Sequence, residues 1–509
     1  MAKRKGFKFM ITSLLTLILV SAGVMSAFAA EGGKHINAAL YWFGTSLDPA
    51  VEWDGWTTCR AGITETLVTV NENYEIVPLL ADSWEQTDDT TWVMHIRDGV
   101  TFHNGKPVDG EAVKKSFERA FSMQERAVTA AKIDTIEAEG QEVTFTTTEP
   151  FGAFLANISE PMYSIVDAEA DTDFASAPVA TGPYMVTGFE VNTYIELAKY
   201  DGYWNGASDV DTITVKNIDD DSTRGMALQS GEMDVVQRVA WTDLPIFEGD
   251  DQYVVYNTQG ARTRILVFNY RNEALQDLNV RKAFIAGINY DALTGVLGSG
   301  VSKAGAPYPA SAPYGYEDLE KQDYDPEAAA AFLAESGYED ADGNGYVEKD
   351  GQELTFTITY ENTGYTIMLE AVQDMLKQVG IHIELQQVDS ISDFEDNGNY
   401  DIVATNWQVL STGDPQWFLD SLYKTGASSN YGRYSNEELD AIIEQLAQTF
   451  DIEGREALTI EAEKVLLADA ASVYLVGENN FVVANAKVQN VVPYPIDYYF
   501  IDNGLSIEE

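Results

Sequence analysis

The sequence predicts an α/β fold with mixed sheets, divided over more than one lobe. Three observations carry this. Residues 354–385 read strand, helix, strand. Leu354 to Tyr360 is extended, 367–379 sets Met368, Ala371, Val372 and Met375 on one helical face, Gly380 ends the helix, and Ile381 to Leu385 is extended again. Such a unit implies a parallel strand pair. Residues 91–97 alternate instead, with Trp92, Met94 and Ile96 on one face, and 143–147 set Val143, Phe145 and Thr147 opposite Thr144 and Thr146. Period two marks a half-buried strand. Finally, 509 residues with 45% hydrophobic and 11% aromatic content describe a globular chain long enough for more than one core.

Taken in order, the chain opens with Lys3, Arg4, Lys5 and Lys8, an apolar run over 11–20, and Ala27-Phe28-Ala29. This is the pattern of a secretory signal peptide over residues 1–29, cleaved after Ala29. It predicts export to a periplasmic or extracellular location. Cys59 is the only cysteine, so no internal disulfide can form, and no cysteine follows the apolar run to carry a lipid anchor. Cys59 reads as a small buried hydrophobe. The formal net charge is −51, from 82 acidic and 31 basic residues. Such a surface repels nucleic acid and anionic lipid.

Residues 36–42 form a first strand, and 53–60 (WDGWTTCR) read as an aromatic and polar loop. After the strand at 91–97, Val100 to His103 reads as a second short extended run. Asn104-Gly105 is a turn, and Asp109 caps a helix carrying Ala112, Val113, Phe117 and Ala120. Residues 223–238 read as a helix with Met226, Ala227 and Leu228 as its apolar part, stopped at Gly231 before a strand at Val235-Val236. Ile265 to Asn269 is a buried strand, and Asp277 or Asn279 caps the helix after it.

Enzyme chemistry finds little support. There is no Gly-x-Ser-x-Gly elbow, no phosphate-binding loop and no His-Glu-x-x-His, and His35, His95, His103 and His382 are scattered. A secreted hydrolase would have to rest on acids alone, which are abundant everywhere in this chain. Residues 340–345 (DADGNG) match the first half of a calcium loop, but Gly351 stands where the bidentate Glu belongs. They read as a calcium site or as a simple Asp/Gly turn. Two arginines, Arg262 and Arg264, flank Thr263 in an extended run and so face the same way. They are either a clamp for a carboxylate or a pair neutralising local acid.

Ala81, Ser83 and Trp84, then Phe102, Gly105 and Pro107, resemble the signature of the family 5 extracytoplasmic solute-binding proteins, receptors of peptide- and nickel-type ABC importers. Further matches are Leu47-Asp48-Pro49, Thr181-Gly182-Pro183-Tyr184 with Tyr203-Trp204, Gly231-Glu232 with Asp234, Asp277 with Val280-Arg281 and Ala283, and Trp407 followed by Asp414-Pro415 and Phe418. The resemblance implies a two-lobed periplasmic-binding-protein-like clamp of the class II type with an extra small domain. Lobe I would comprise 30–55, 185–270 and 480–509, the small domain 56–184, and lobe II 271–479.

It also implies a monomeric, non-catalytic receptor without a cofactor, partnered by a membrane permease, that closes on a peptide or peptide-like solute. A nickel or other metal chelate is the alternative cargo. Trp407 is expected to wall the cleft, with Trp53, Trp56, Tyr431 and Arg262 or Arg264 as further ligand contacts; for the tryptophans, core packing is the competing reading. The Asp that holds a peptide's ammonium in peptide-binding members has no acid in its place among residues 408–412. The arginine of nickel-binding members is replaced within 159–163, and their histidine within 428–431.

Overall fold

The computed structural model describes residues 33–315, 319–361 and 365–508; the expected signal peptide, residues 1–29, lies outside them. The fold is a two-lobed α/β clamp of mixed sheets. Eleven strands form the main sheet. Its spine runs from His382–Val388 through Thr355–Glu361, Ile402–Gln408, Tyr253–Phe268, Ser472–Asn485, Val235–Gln237 and His35–Leu40 to the three strands between Thr212–Asn217 and Tyr184–Glu190. The parallel pair expected from residues 354–385 is formed, with Thr355 opposite His382 and Glu361 opposite Val388. The intervening helix, Thr366–Gln378, buries Met368, Leu369, Val372 and Leu376.

Two long strands hold the halves of this sheet together. Tyr253–Phe268 and Ser472–Asn485 pair antiparallel along their lengths, with register shifts between Gln259 and Arg262 and between Arg264 and Ile265. Before the first shift, the partners beyond Ser472–Asn485 are Val235–Gln237 and His35–Leu40. After it, Tyr253–Phe268 also pairs with Ile402–Gln408. A register shift adds an unpaired residue and bends the strand, so the bends fall beside the two arginines. The sequence reading names only the buried half of this strand, Ile265 onward; the Tyr253-Val254-Val255-Tyr256 run that opens it is equally strand-forming in type but only half-buried.

A separate four-stranded antiparallel sheet holds the alternating strands, with Trp92 opposite Phe145 and Met94 opposite Val143. These side chains pack with Val113 and Phe117 of the helix Gly110–Met123. Asp109 caps that helix by accepting from the Ala112 amide at 2.9 Å, and Asp277 caps Leu278–Ala286.

Three local expectations fail. Val100 to His103 makes only one bridge, Thr101 to Pro107, around the Asn104-Gly105 turn, because proline on the returning side has no N–H to extend the ladder. Met226 is 60% exposed, since the helix Asp221–Gln229 presents Ala227 and Leu228 inward instead. Residues 54–60 form a helix, not a loop. The Asp54 carboxylate ties the helix start to the preceding turn by accepting from the Thr45 and Ser46 amides at 2.9 and 2.8 Å. At Gly55 any Cβ would lie 2.7 Å from the Pro161 carbonyl. That close approach, invisible in the sequence, seats the helix.

Candidate functional site

A chamber of about 320 Å³ opens where the four-stranded sheet's region meets the bent part of the main sheet. Five of the six residues expected to touch a ligand line it: Trp53, Trp56, Arg262, Trp407 and Tyr431. They arrive from four separate stretches of chain. Trp53 and Trp56 sit at the start of the helix Asp54–Arg60. Arg262 follows the first register shift, and Trp407 lies on Ile402–Gln408 with Thr263 opposite it.

The walls are aromatic and mutually supported. Trp56 packs 5.2 Å from Trp53 and 5.1 Å from Tyr498, centroid to centroid, and Trp407 lies 5.3 Å from Trp417. Trp53 and Trp417 stay about two-fifths exposed. Large aromatic faces left at a cavity mouth are surfaces for a ligand. The Trp56 indole donates to Glu160 at 3.0 Å, and Glu160 also meets Arg126 at 3.4 Å. Thus residues 159–163 present Glu160 to the chamber, and the guanidinium beside it is that of Arg126 on a different helix.

Arg264 does not line the chamber. It is buried, donates to Glu478 at 2.6 Å, and lies over the rings of Tyr365 and Trp241. Its direction on the strand is shared with Arg262, but the second register shift and Glu478 draw it into the protein. Arg262 donates to Asp497 at 3.2 Å. The pair is therefore neither a surface feature nor two equivalent clamps.

Asp497 is the hub of a larger cluster that sequence reading missed. Arg60 lies 3.4 Å from its carboxylate and Arg238 lies 3.6 Å away. Tyr41 and Gln408 donate to the same carboxylate at 2.5 and 3.0 Å. Burial alone would push this carboxyl up, but Arg262, Arg60 and Arg238 outweigh burial and hold it far below the usual carboxylate range. Burial likewise opposes the charge on Arg262, and Asp497 reverses that, so its guanidinium is held firmly protonated. No motif spacing links residues 60, 238, 262 and 497; only the fold collects them.

The Asp414 of the Asp-Pro segment turns away from the chamber. Arg455 grips it at 2.6 and 2.9 Å, and Ser411, Thr412 and Trp417 face the chamber instead. At residues 340–345 the carboxylates fold back on the loop itself: Asp340 accepts from the Gly343 and Gly345 amides, and Asp342 from the Asn344 amide. Among the described residues, no group of three or more His, Cys, Asp or Glu is placed to hold a metal ion, and no helix is long and apolar enough to cross a membrane. Cys59 is buried; burial pushes its thiol up to about 11, against hydrogen bonds from Thr64 and Ser164.

Comparison with known proteins gives a consistent answer. The family model of the bacterial extracellular solute-binding proteins, family 5 (middle region), matches residues 75–430. The nickel-binding protein NikA of Staphylococcus aureus is 27% identical, over 98% of this chain and 99% of its own. The glutathione-binding protein GsiB of Pectobacterium atrosepticum is 28% identical, over 92% and 94%. A solved nickel ABC transporter structure from Bacillus halodurans superimposes with a TM-score of 0.81 at 33% identity, covering 93% of this chain and 99% of that one.

Proposed function

The chain belongs to the family 5 bacterial extracellular solute-binding proteins, and from that premise we propose that its aromatic chamber clamps a small carboxylate-bearing solute of peptide-like kind and presents it to an ABC permease. The observation that carries this is the pairing of tryptophan walls with Arg262 in one cavity of about 320 Å³. Indoles cover the solute's apolar or planar parts. A guanidinium already held by Asp497 is pre-oriented for a second carboxylate.

A second reading has its own support. Among the described residues no side-chain cluster is arranged to bind a bare metal, so a metal cargo would have to arrive wrapped in its own ligands. A chelate built from small carboxylates satisfies the same walls and the same arginine, and a nickel-binding relative matches nearly the whole chain.

With lobe I, the small domain and lobe II divided as the sequence reading divides them, the chamber draws residues from all three. Closure then turns about the two bent strands, and the solute favours the closed state because only there do all its walls touch it. The receptor works as an exported monomer, released from residues 1–29 and acting on no bonds of its cargo.

The test is to purify the protein natively and identify the retained solute by mass spectrometry with elemental analysis. Titrating that solute into Trp407→Ala by calorimetry should show at least about a tenfold loss of affinity, roughly 1.4 kcal/mol. An unchanged affinity removes Trp407 from the site and with it the chamber.

A further inference from the structure

Beside the aromatic chamber lies a second compartment of about 380 Å³. The two share Trp53, Trp56, Arg262 and Asn406 in their linings. The second is framed also by Arg60, Arg238 and the rings of Tyr41 and Trp42, and among the described residues no carboxylate lines it. Its charges do not balance. Setting Arg264 against Glu478 leaves Arg60, Arg238 and Arg262 against Asp497 alone, three positive charges against one negative.

A buried surplus of this kind is costly unless something compensates it. Here Arg60 donates Nε to the Asp497 main-chain carbonyl at 2.6 Å and Nη2 to the Tyr41 hydroxyl at 2.9 Å, and the remaining neutral partners are ring faces. Arg60 lies 4.8 Å from the Tyr41 centroid, and Arg238 lies 4.5 Å from the same ring. Hydrogen bonding tells the same story independently. Arg60 is fully buried, yet among the described residues its Nη1 finds no acceptor, and neither does Nε of Arg238. Arg238 also reaches Glu478 and Asp497 only at 3.5 and 3.6 Å. Its backbone sits in the left-handed region at φ 62°, a conformation that a long side chain adopts only where its surroundings impose it. Arg238 thus shares both carboxylates with other arginines and holds neither of them closely.

We propose that this compartment is an anion subsite for the solute's charged end, taking two negative charges in the form of paired carboxylates, with Arg238 and Arg60 joining Arg262 as its specificity-determining residues. The proposal rests on the receptor reading above and sharpens it: the chamber takes the body of the solute, and the second compartment takes a dianionic head. Planar guanidiniums bind carboxylates through two parallel N–H donors. Partial burial keeps the attraction from being screened as it would be on the surface.

The test uses probes that need no knowledge of the natural solute. Citrate, nickel–citrate, the net-neutral nickel bis-histidine chelate and inorganic phosphate are titrated into the full protein, read by calorimetry and by the fluorescence of the neighbouring tryptophans. Citrate, with or without nickel, should bind at least about tenfold more tightly than the neutral chelate or phosphate. Arg238→Met should abolish most of that preference, with circular dichroism unchanged.

Citrate binding that nickel does not improve upholds the subsite and counts against the chelate reading. Tight binding of the neutral chelate with no response to citrate overturns the subsite and leaves the receptor reading standing. Phosphate binding more tightly than citrate overturns the assignment to carboxylates. No binding of citrate by the wild-type protein overturns the proposal whatever the variant does.

Discussion

Two buried ionic clusters in this molecule are built on opposite principles. At the Asp414–Arg455 pair one cation meets one anion, at 2.6 and 2.9 Å, and the remaining Arg455 nitrogen donates to the Leu446 and Thr449 carbonyls at 2.7 and 2.8 Å. Charge and donors are both used up inside the protein. Around Asp497 the guanidiniums outnumber the carboxylates, donors go unanswered, and a cavity opens beside them. The first arrangement locks two parts of the chain together. The second keeps charge in reserve at a place a solute can reach. The Asp-Pro segment is thus a brace, while Asp497 gathers Arg60, Arg238 and Arg262 beside the chamber.

The contrast is open to breaking. Arg455→Ala should cost about 3–5 kcal/mol in denaturant unfolding, because it leaves Asp414 charged, buried and alone; a loss below about 1 kcal/mol would show that the closed pair is no lock. Glu463 tests the same idea with an acid that has no arginine at all. It is fully buried, no side chain donates to it among the described residues, and burial, only partly offset by the Tyr308 main chain, pushes its carboxyl up to about 8. In the unfolded chain it titrates near the ordinary value for a glutamate, 4.5. The folded protein therefore holds the proton over a range where the unfolded chain has lost it. Stability falls as pH rises from the lower value to the upper one and stays reduced above it. Glu463→Gln should match the wild type near pH 4 and exceed it near pH 9, by on the order of a few kcal/mol, read from melts at both pH values. Equal gains at both would assign the effect to packing.

The smallest expected change is the most pointed. Arg238→Met should alter folding stability by no more than about 1 kcal/mol, since Asp497 keeps Arg60 and Arg262 and Glu478 keeps Arg264 when an apolar chain of similar length replaces the cation. Removing an arginine from the balanced pair is costly and removing one from the unbalanced cluster is not. If the two losses prove equal, the distinction between brace and reserve disappears.

How much of this was legible beforehand can be read from single residues. Trp92, Met94, Val143 and Phe145 announce their strands because a half-buried sheet forces alternation, and Asp109 and Asp277 announce their helices because an N-terminal amide needs an acceptor. Trp407, Trp53, Trp56 and Arg262 could be nominated for the site from their types and from the resemblance around them. Arg264 had the same credentials as Arg262 and went elsewhere. Its fate depended on a register shift and on Glu478, more than 200 residues away.

What the sequence determined by itself is local and additive: the pattern of each strand and helix, the acidic balance, and the motifs that mark the family. What only the tertiary structure decided is which distant residues share one small volume. Arg60, Arg238, Arg262 and Asp497 carry no joint signal along the chain, because electrostatic partnership depends on separation in space, and that separation is set by how two long bent strands bring the ends of the molecule together.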